Sequence, residues 1–435
     1  MKMPDLLQKS SDFYNKGDYD SAWTYIENFL QQAPDNPSAL IIKGNILYQK
    51  QKLSEAFEWY QKALSIDSKN TIAWINCANI CFENKDYVEA FMYAGVALGL
   101  DNRNKNALTL YGNAALELEK YDEAKTSFLR ILEQDSQDYW CYNSLSQLYQ
   151  KTEDYERALA CGWRAVELSK GDENQHINFG YMLYEISQFN YNLVQPYAKN
   201  WLEKYPTDSV VMHMANAVLH NQNLTRADGK YIQEIFDIFA DDFENVLADL
   251  GYCVPQLFEN ELAQIFIADS PVKLKILDAG CGTGLCGPFL KKYACLRGLY
   301  GLDLSREMLK RAAQKNVYDQ LICQDFELYL KETKQKFDLI VAADVFTYFG
   351  ELQNLVIGCQ KNLNKNGRIL FSVSANNEND SDYYLHASGR FLHHRKYIER
   401  ILSNNGLEIE KIGEHVLRTE GEKQVWGYIV SAFKK

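Results

Sequence analysis

Proline is scarce in this chain of 435 residues, with 8 in all, and no low-complexity stretch of the kind that marks disorder accompanies it. Long apolar runs are missing as well. None reaches the ~18 residues that span a bilayer, and Met1-Lys2-Met3-Pro4-Asp5 lacks the apolar core of a signal peptide. Basic charge is in deficit: the net charge is -12, and most of the excess acid falls in residues 1–222. That composition is a poor one for gripping nucleic acid, where phosphate neutralisation supplies most of the affinity. The ten cysteines include no CxxC pair. Cys77 and Cys81 share a helix face, and Cys281 and Cys286 flank a glycine turn, which reads as buried or lining thiols and not as a metal site. The expectation is a folded cytoplasmic protein with no membrane, nucleic-acid or metal partner. What is present is apolar surface, 46% hydrophobic and 13% aromatic residues. Single cores stop growing at about 250–300 residues, so two domains are expected.

Ala22, Ala56, Ala90, Ala124 and Ala158 recur every 34 residues, and so do the small residues Ser10, Gly44, Ala78, Gly112, Ser146 and Gly180. A third series, Tyr19, Leu53, Tyr87, Tyr121 and Tyr155, marks the start of a second helix in each unit, and Ile26, Tyr60 and Phe128 follow four places after an alanine. Small residues are needed where antiparallel helices approach closely, and large ones fill the gap to the next unit. The pattern resembles the tetratricopeptide repeat, whose helix pairs must stack to bury their apolar faces. Five clear units cover about residues 5–172. A degenerate unit covers 173–222, where the alanine register fails at Asn192 and Pro206 ends a helix. The array as a whole is expected over 1–222.

The first helix of each unit lines the concave face of such an array, and one position on it reads Asn45, Asn79, Asn113 and Gln147. Carboxamides in a ladder hydrogen-bond to the backbone of an extended peptide, with Tyr48, Phe82 and Trp140 as side-chain pockets. A protein or peptide partner is therefore expected there. Asparagine common to the repeat family, or a face packed on the second domain, accounts equally for the ladder.

Polar Asn223–Lys230 reads as a linker, and Tyr231–Leu250 as one amphipathic helix. Short apolar runs then alternate with helical stretches: Lys275–Ala279, Leu299–Leu304, Leu321–Gln324, Phe337–Ala342 and Arg368–Val373. That alternation implies a mostly parallel sheet covered by helices. Leu407–Arg418 and Gln424–Phe433 read as strands around Thr419–Lys423, so the chain closes in a hairpin. The expected division is a linker with capping helices over 223–270 and a catalytic domain over 271–435.

The first strand runs into Asp278-Ala279-Gly280-Cys281-Gly282-Thr283-Gly284, and the second ends at Asp303-Leu304-Ser305. Glycines at 280, 282 and 284 let backbone pass close to a ligand, and Asp303 is placed to accept two ribose hydroxyls. Gly282, Gly284 and Gly287 also match the dinucleotide fingerprint. Asp278 ahead of the glycines, Asp325-Phe326 at strand three and the closing hairpin favour S-adenosyl-L-methionine instead.

Over about residues 231–433 the sequence resembles class I S-adenosylmethionine-dependent methyltransferases, and more closely the bacterial subgroup that carries tetratricopeptide repeats. Leu250-Gly251-Tyr252 with Pro255, Ser388-Gly389-Arg390-Phe391-Leu392-His393 and Leu417-Arg418-Thr419-Glu420 carry that closer likeness. The resemblance implies an α/β Rossmann-like domain with a mostly parallel seven-stranded sheet ending in an antiparallel hairpin. It also implies cofactor contacts from Asp278, Gly280, Cys281, Gly282, Gly284, Asp303, Leu304, Met308, Asp325 and Phe326. A Phe-Asp pair repeated along the capping helix is kept at Phe236-Asp237 and altered at Phe243-Glu244, which makes Phe236, Phe239 and Tyr252 lid candidates.

Methyl transfer asks chiefly for alignment and exclusion of water. Asp344 and Tyr348, after strand four, are the substrate-facing candidates, although Asp344 equally suits capping the following helix. Arg390 is placed to bind a carboxylate and His393 to accept a proton. Arg418 and Glu420 are expected to pair across the hairpin. The leading reading is a methyltransferase acting on a protein segment held by the repeats. A small-molecule methyltransferase with repeats for assembly and a non-catalytic scaffold are the alternatives.

Overall fold

The computed structural model describes residues 3–266, 273–421 and 423–435. The expected boundary at 270/271 and position 422 of the expected turn lie outside the described residues. The chain divides into two compact units, the first ending at Gly171 and the second beginning at Asp172.

The first unit is five helix pairs: α1 (Met3–Asn15) with α2 (Tyr19–Leu30), α3 (Pro37–Gln49) with α4 (Leu53–Ile66), α5 (Thr71–Glu83) with α6 (Tyr87–Leu100), α7 (Lys105–Glu117) with α8 (Tyr121–Gln134), and α9 (Tyr139–Lys151) with α10 (Tyr155–Leu168). All five register alanines are fully buried. The small residues face the large ones that follow those alanines. A Cβ on Gly44 would stand 2.4 Å from the Tyr60 ring, and one on Gly112 would stand 2.6 Å from Phe128. Where the register carries serine, the hydroxyl donates to the facing alanine carbonyl, Ser10 to Ala22 at 2.8 Å and Ser146 to Ala158 at 3.0 Å. Asn36, Asn70, Asn104 and Asp138, again 34 apart, cap α3, α5, α7 and α9 through their side chains, a contribution of about 1 kcal/mol each.

The second unit opens with α11 (Glu173–Ser187), α12 (Tyr191–Lys204) and α13 (Ser209–Val218). A Cβ on Gly180 would meet Met214 Sδ at 2.4 Å, so in this unit the small position accepts a residue of α13. Asn223–Lys230 is not a free linker. Thr225 accepts from the amides of Gly350 (2.8 Å) and Glu351 (3.0 Å), Ala227 donates to Tyr348 O (2.8 Å), and Ala227 is fully buried. The single helix expected over Tyr231–Leu250 is two, α14 (Gly229–Phe239) and α15 (Phe243–Asp249). The adjacent Asp241 and Asp242 interrupt it. Asp241 pairs with Arg311 and Asp242 accepts from Asn245, and such side chains favour helix ends over interiors.

Next come α16 (Val254–Ile265), β1 (Leu274–Ala279), α17 (Gly287–Tyr293), β2 (Ala294–Asp303), α18 (Arg306–Gln314), β3 (Gln320–Cys323), α19 (Phe326–Glu332), β4 (Phe337–Ala342), α20 (Gln353–Asn362), β5 (Leu363–Ala375), β6 (Tyr383–Leu385), β7 (Phe391–His393), α21 (Arg395–Asn404), β8 (Leu407–Glu420) and β9 (Lys423–Lys434). Seven strands form the expected spine, β3-β2-β1-β4-β5-β9-β8, parallel as far as β5 and antiparallel beyond it. Alternate residues bury on opposite faces. Leu277, Leu302, Ile340 and Phe371 pack on one side, and Ile276, Leu299, Leu339 and Leu370 on the other against Phe258 and Leu262 of α16.

The two short strands make the sheet nine-stranded. Pairing of β4 with β5 ends at Ala342↔Phe371, while β5 runs on to Ala375 with its other edge held by β9. The vacated edge is taken by β7, Ser374↔Leu392 and Ala375↔His393, and β6 pairs with β7. This substitution brings the turn containing Arg390 to the carboxyl end of β4.

Candidate functional site

A cleft of about 1070 Å³, its mouth included, opens at the carboxyl ends of β1, β2 and β4. Its floor is the glycine loop. Gly280 has φ +65°, and a Cβ there would lie 2.2 Å from Val345 Cγ2. The Gly282 amide donates to Asp303 Oδ2 at 2.8 Å and the Ser305 amide to Oδ1 at 2.9 Å. Each carboxylate oxygen thus accepts from a backbone amide, which fixes the group at the rim of the cleft it lines. Asp278, 1% exposed, accepts from Tyr318 OH at 2.6 Å, and burial pushes its carboxyl up to about 7. Cys281, Leu304, Met308, Asp325 and Phe326 line the same cleft.

Gly284 does not reach the cleft. A Cβ there would meet Tyr318 at 3.0 Å and Ala312 at 3.4 Å, so its smallness serves packing on α18. Asp325, expected at the adenine amino group, caps α19 by accepting from Leu328 N and is held by Arg226 at 2.6 Å. Arg226 also pairs with Glu327 at 3.0 Å and lies 4.7 Å from the Phe349 ring centre. Nothing in the polar stretch around Arg226 signals this role, because its partners lie 99 and 101 residues away.

The expected lid residues fall on α14, on α15 and in the turn between α15 and α16. Phe236, Phe243 and Tyr252 line the cleft with Ile232, Leu247 and Pro255. Phe239 does not; it turns to Tyr181 at 6.1 Å. The Phe-Asp pair has a division of labour: Phe236 covers the cleft, and Asp237 accepts from the Ser305 hydroxyl, the cap of α18, at 2.5 Å. In the altered pair Phe243 still faces the cleft while Glu244 is bound to Lys315 at 2.9 Å.

The far end of the cleft is lined by Asp344, Val345, Tyr348 and Arg390. Asp344 sits in the left-handed region at φ +56°. Its Oδ1 accepts from Ser372 Oγ at 3.0 Å, and its Oδ2 lies 3.2 Å from Arg390 Nη1 and 3.6 Å from Arg418 Nη1. It caps no helix, since the 3-10 turn Phe346–Tyr348 starts at Val345 without a side-chain cap. Arg418 and Glu420 pair along β8, two residues apart, and not across the hairpin (2.7 and 2.9 Å); Tyr184 of α11 donates to the other Glu420 oxygen at 3.2 Å. Tyr348 meets Phe236 edge-on at 5.8 Å, and burial raises its phenol.

His393 is outside the cleft. It is fully buried, and its Nε2–H donates to the carbonyls of Phe349 (2.8 Å) and Gly350 (3.2 Å). Burial pushes the ring down to about 4. Phe391 and His393 share one face of β7, and that face points into the fold, which removes His393 as a proton acceptor.

In the first unit the carboxamide ladder is partly occupied by its own neighbours. Asn45 Oδ1 accepts from Tyr60 (2.8 Å) and Asn76 (2.9 Å), Asn79 donates to Tyr48 and Glu83, and Asn113 Oδ1 accepts from Ser144 (3.3 Å). Gln147 is exposed. The bonds of Asn45 with Asn76, of Asn79 with Tyr48 and of Asn113 with Ser144 run between successive first helices.

A methyltransferase-domain family profile matches residues 277–369, and tetratricopeptide-repeat profiles match 7–71, 106–138 and 140–170. The chain is 28% identical over 102 residues to a ubiquinone biosynthesis O-methyltransferase of Coxiella burnetii, covering 22% of this chain and 42% of the relative. It is 33% identical over 131 residues to a malonyl-[acyl-carrier protein] O-methyltransferase of Priestia megaterium, covering 30% and 46%. The chain spans less than half the length of these curated relatives. Among solved structures, magnesium protoporphyrin IX methyltransferase of Synechocystis with S-adenosylhomocysteine aligns at 19% identity and TM-score 0.38, covering 48% of this chain and all of that one. A tetratricopeptide repeat protein of Parabacteroides merdae aligns at 21% and 0.42, covering 60% and 98%. The chain carries tetratricopeptide repeats and a methyltransferase domain, which implies S-adenosylmethionine as cofactor.

The cleft fits that group. The loop depends on its glycines: a Cβ at 280 would strike Val345 at 2.2 Å, and Gly282 holds a left-handed φ of +52° beside Phe243. Asp303 lines the cleft as an acceptor-only carboxylate, the chemistry a ribose diol requires.

Proposed function

We propose that the protein is an S-adenosylmethionine-dependent methyltransferase of the cytoplasm, acting on a protein or peptide captured by the repeat array over residues 1–222. The observation that carries the reading is the Asp303 carboxylate, locked by the Gly282 and Ser305 amides beside the glycine loop and under an aromatic lid. When bound, the cofactor supplies an electrophilic sulfonium methyl. Asp303 holds the ribose, Gly280 and Gly282 admit the amino-acid end alongside Asp278 and Cys281, and Leu304, Met308 and Phe326 flank the adenine. Asp325, with Arg226 already on one oxygen, bounds the adenine edge. Phe236, Phe243 and Tyr252 exclude water, and Tyr348 and Arg390 orient the acceptor.

With His393 buried elsewhere and Asp344 held between two arginines, this site works by alignment and desolvation. Effective molarity from such alignment is worth up to roughly 7–11 kcal/mol. The repeats support a protein target, since the amide N–H groups of Asn45 and Asn113 and the whole of Gln147 remain for an extended backbone. A small acceptor is the second reading, supported by the relatives named for ubiquinone biosynthesis and for a malonyl group carried on a protein.

Calorimetric titration with S-adenosylmethionine tests the site. Binding that is lost in Asp303→Ala is expected, and no binding by the native chain would sink the proposal. Labelling an extract with a tritiated-methyl cofactor tests the target: label confined to small molecules would remove the protein-substrate reading.

A further inference from the structure

Arg390 is held with more care than a surface cation needs. The turn before it is tied by Gly389 N to His386 O (2.9 Å), His386 N to Arg390 O (2.9 Å) and the His213 ring to Gly389 O (2.7 Å). Gly389 is at φ +79°, where a Cβ would press on Tyr231 OH at 3.0 Å. Asp344, itself in a left-handed conformation and fixed by Ser372, takes one guanidinium nitrogen, Nη1. The Nε–H and Nη2–H edge has no partner among the described residues and is not sealed from the cleft that Arg390 lines. Arg418 differs, since its Nε and Nη2 are spent on Glu420.

An arginine whose side-on fork is left open in a cleft lined largely by apolar side chains is a receptor for a planar oxyanion. The Tyr348 phenol lines the same cleft and adds a hydroxyl donor. Asp303 and Asp344 line the same cleft, so a phosphate dianion meets like charge while a monoanionic carboxylate meets one matching fork.

We propose that the acceptor substrate carries a carboxylate, bound bidentately by the free Nε/Nη2 edge of Arg390 and flanked by the Tyr348 phenol. This rests on the reading of the cleft as a methyltransferase site.

The test uses the full chain saturated with S-adenosylhomocysteine and measures binding of propionate, benzoate and phenylacetate, each against its amide, with phenyl phosphate as the dianionic arm. Saturation-transfer NMR and calorimetry give the affinities. At least one acid is expected to bind about tenfold or more tighter than its amide. Arg390→Met is expected to abolish that preference and Arg390→Lys to keep only part of it, with S-adenosylhomocysteine affinity unchanged within about twofold. The acid-against-amide comparison in the native chain needs no variant, so it stands even if Arg390→Met fails to fold. Equal binding of acids and amides, no binding of any acid, an undiminished preference in Arg390→Met, or phenyl phosphate binding more tightly than every acid would each overturn the carboxylate assignment. Failure of the native chain to bind S-adenosylhomocysteine would overturn the underlying cofactor reading instead.

Discussion

Replacing Gly280 by alanine probes the closest approach in the cofactor loop. Two costs add. A left-handed backbone at φ +65° costs a non-glycine residue about 1–2 kcal/mol. The new methyl would stand 2.2 Å from Val345 Cγ2, and overpacking of that kind costs about 1–3 kcal/mol. Gly280→Ala should therefore destabilise the second unit by about 2–5 kcal/mol. Truncating Val345 to alanine removes Cγ2 and leaves Cβ, already 3.4 Å away, as the nearest atom. The double variant should recover the overpacking part, about 1–3 kcal/mol, and retain the backbone strain. Urea titration read by hydrogen exchange in peptides covering β1 and β4 isolates this unit from the repeats, whose unfolding need not be concerted with it. A coupling between the two sites smaller than about 0.5 kcal/mol would refute the claim that Val345 is what forbids a side chain at 280.

Asp278 gives a pH signature. Its carboxyl keeps its proton up to about 7 in the fold, against 3.8 ordinarily, so the native state binds more protons than the unfolded chain between those values. Stability from this group is complete below about 4 and is lost as pH rises through 7, by up to about 4 kcal/mol. Asp278→Asn should flatten that slope in urea midpoints taken from pH 4 to 8; an unchanged slope would contradict the assignment. For His393, the neutral ring contributes stability above about 6.5 that is lost as pH falls toward 4. His393→Gln should cost about 1–3 kcal/mol and leave the pH profile of methyl transfer unaltered, so disappearance of a limb near 6.5 would restore His393 as a proton acceptor. In the repeats, Gly99→Ala meets nothing within 4 Å and should stabilise by about 0.4–1 kcal/mol in chemical denaturation. Gly112→Ala, facing Phe128 at 2.6 Å, should lose about 1–3 kcal/mol to overpacking against that gain, and Phe128→Leu should relieve it; equal effects at both glycines would show that helix propensity alone decides.

Much of the fold was legible because its rules are local or periodic. The alanine and small-residue series recur every 34 residues since every helix pair buries the same face. The strand windows matched because a sheet covered on both sides demands short apolar runs. The loop glycines and Asp303 sit at adjacent strand ends in a fixed order along the chain. The split of the capping helix at Asp241–Asp242 was written in the sequence, but an apolar periodicity that runs through the break outweighed two side chains that prefer helix ends.

At the far end of the cleft Asp344, Tyr348 and Arg390 were legible as candidates, but the partners that hold the charges of the site were not. Arg226 reaches Asp325, Tyr184 reaches Glu420 across 236 residues, and Asp344 joins Arg390 and Arg418. Each of these side chains would suit a solvated surface on its own. His393 shows the same limit in reverse, since β7 pairs only where β4 stops, and that edge turns the ring inward. By itself the sequence determined the repeat register, the strand alternation and the cofactor loop, because spacing along the chain sets backbone geometry there. Only the tertiary structure decided which charges lose water and which partners they find, because desolvation and pairing depend on distances in space that no spacing along the chain records.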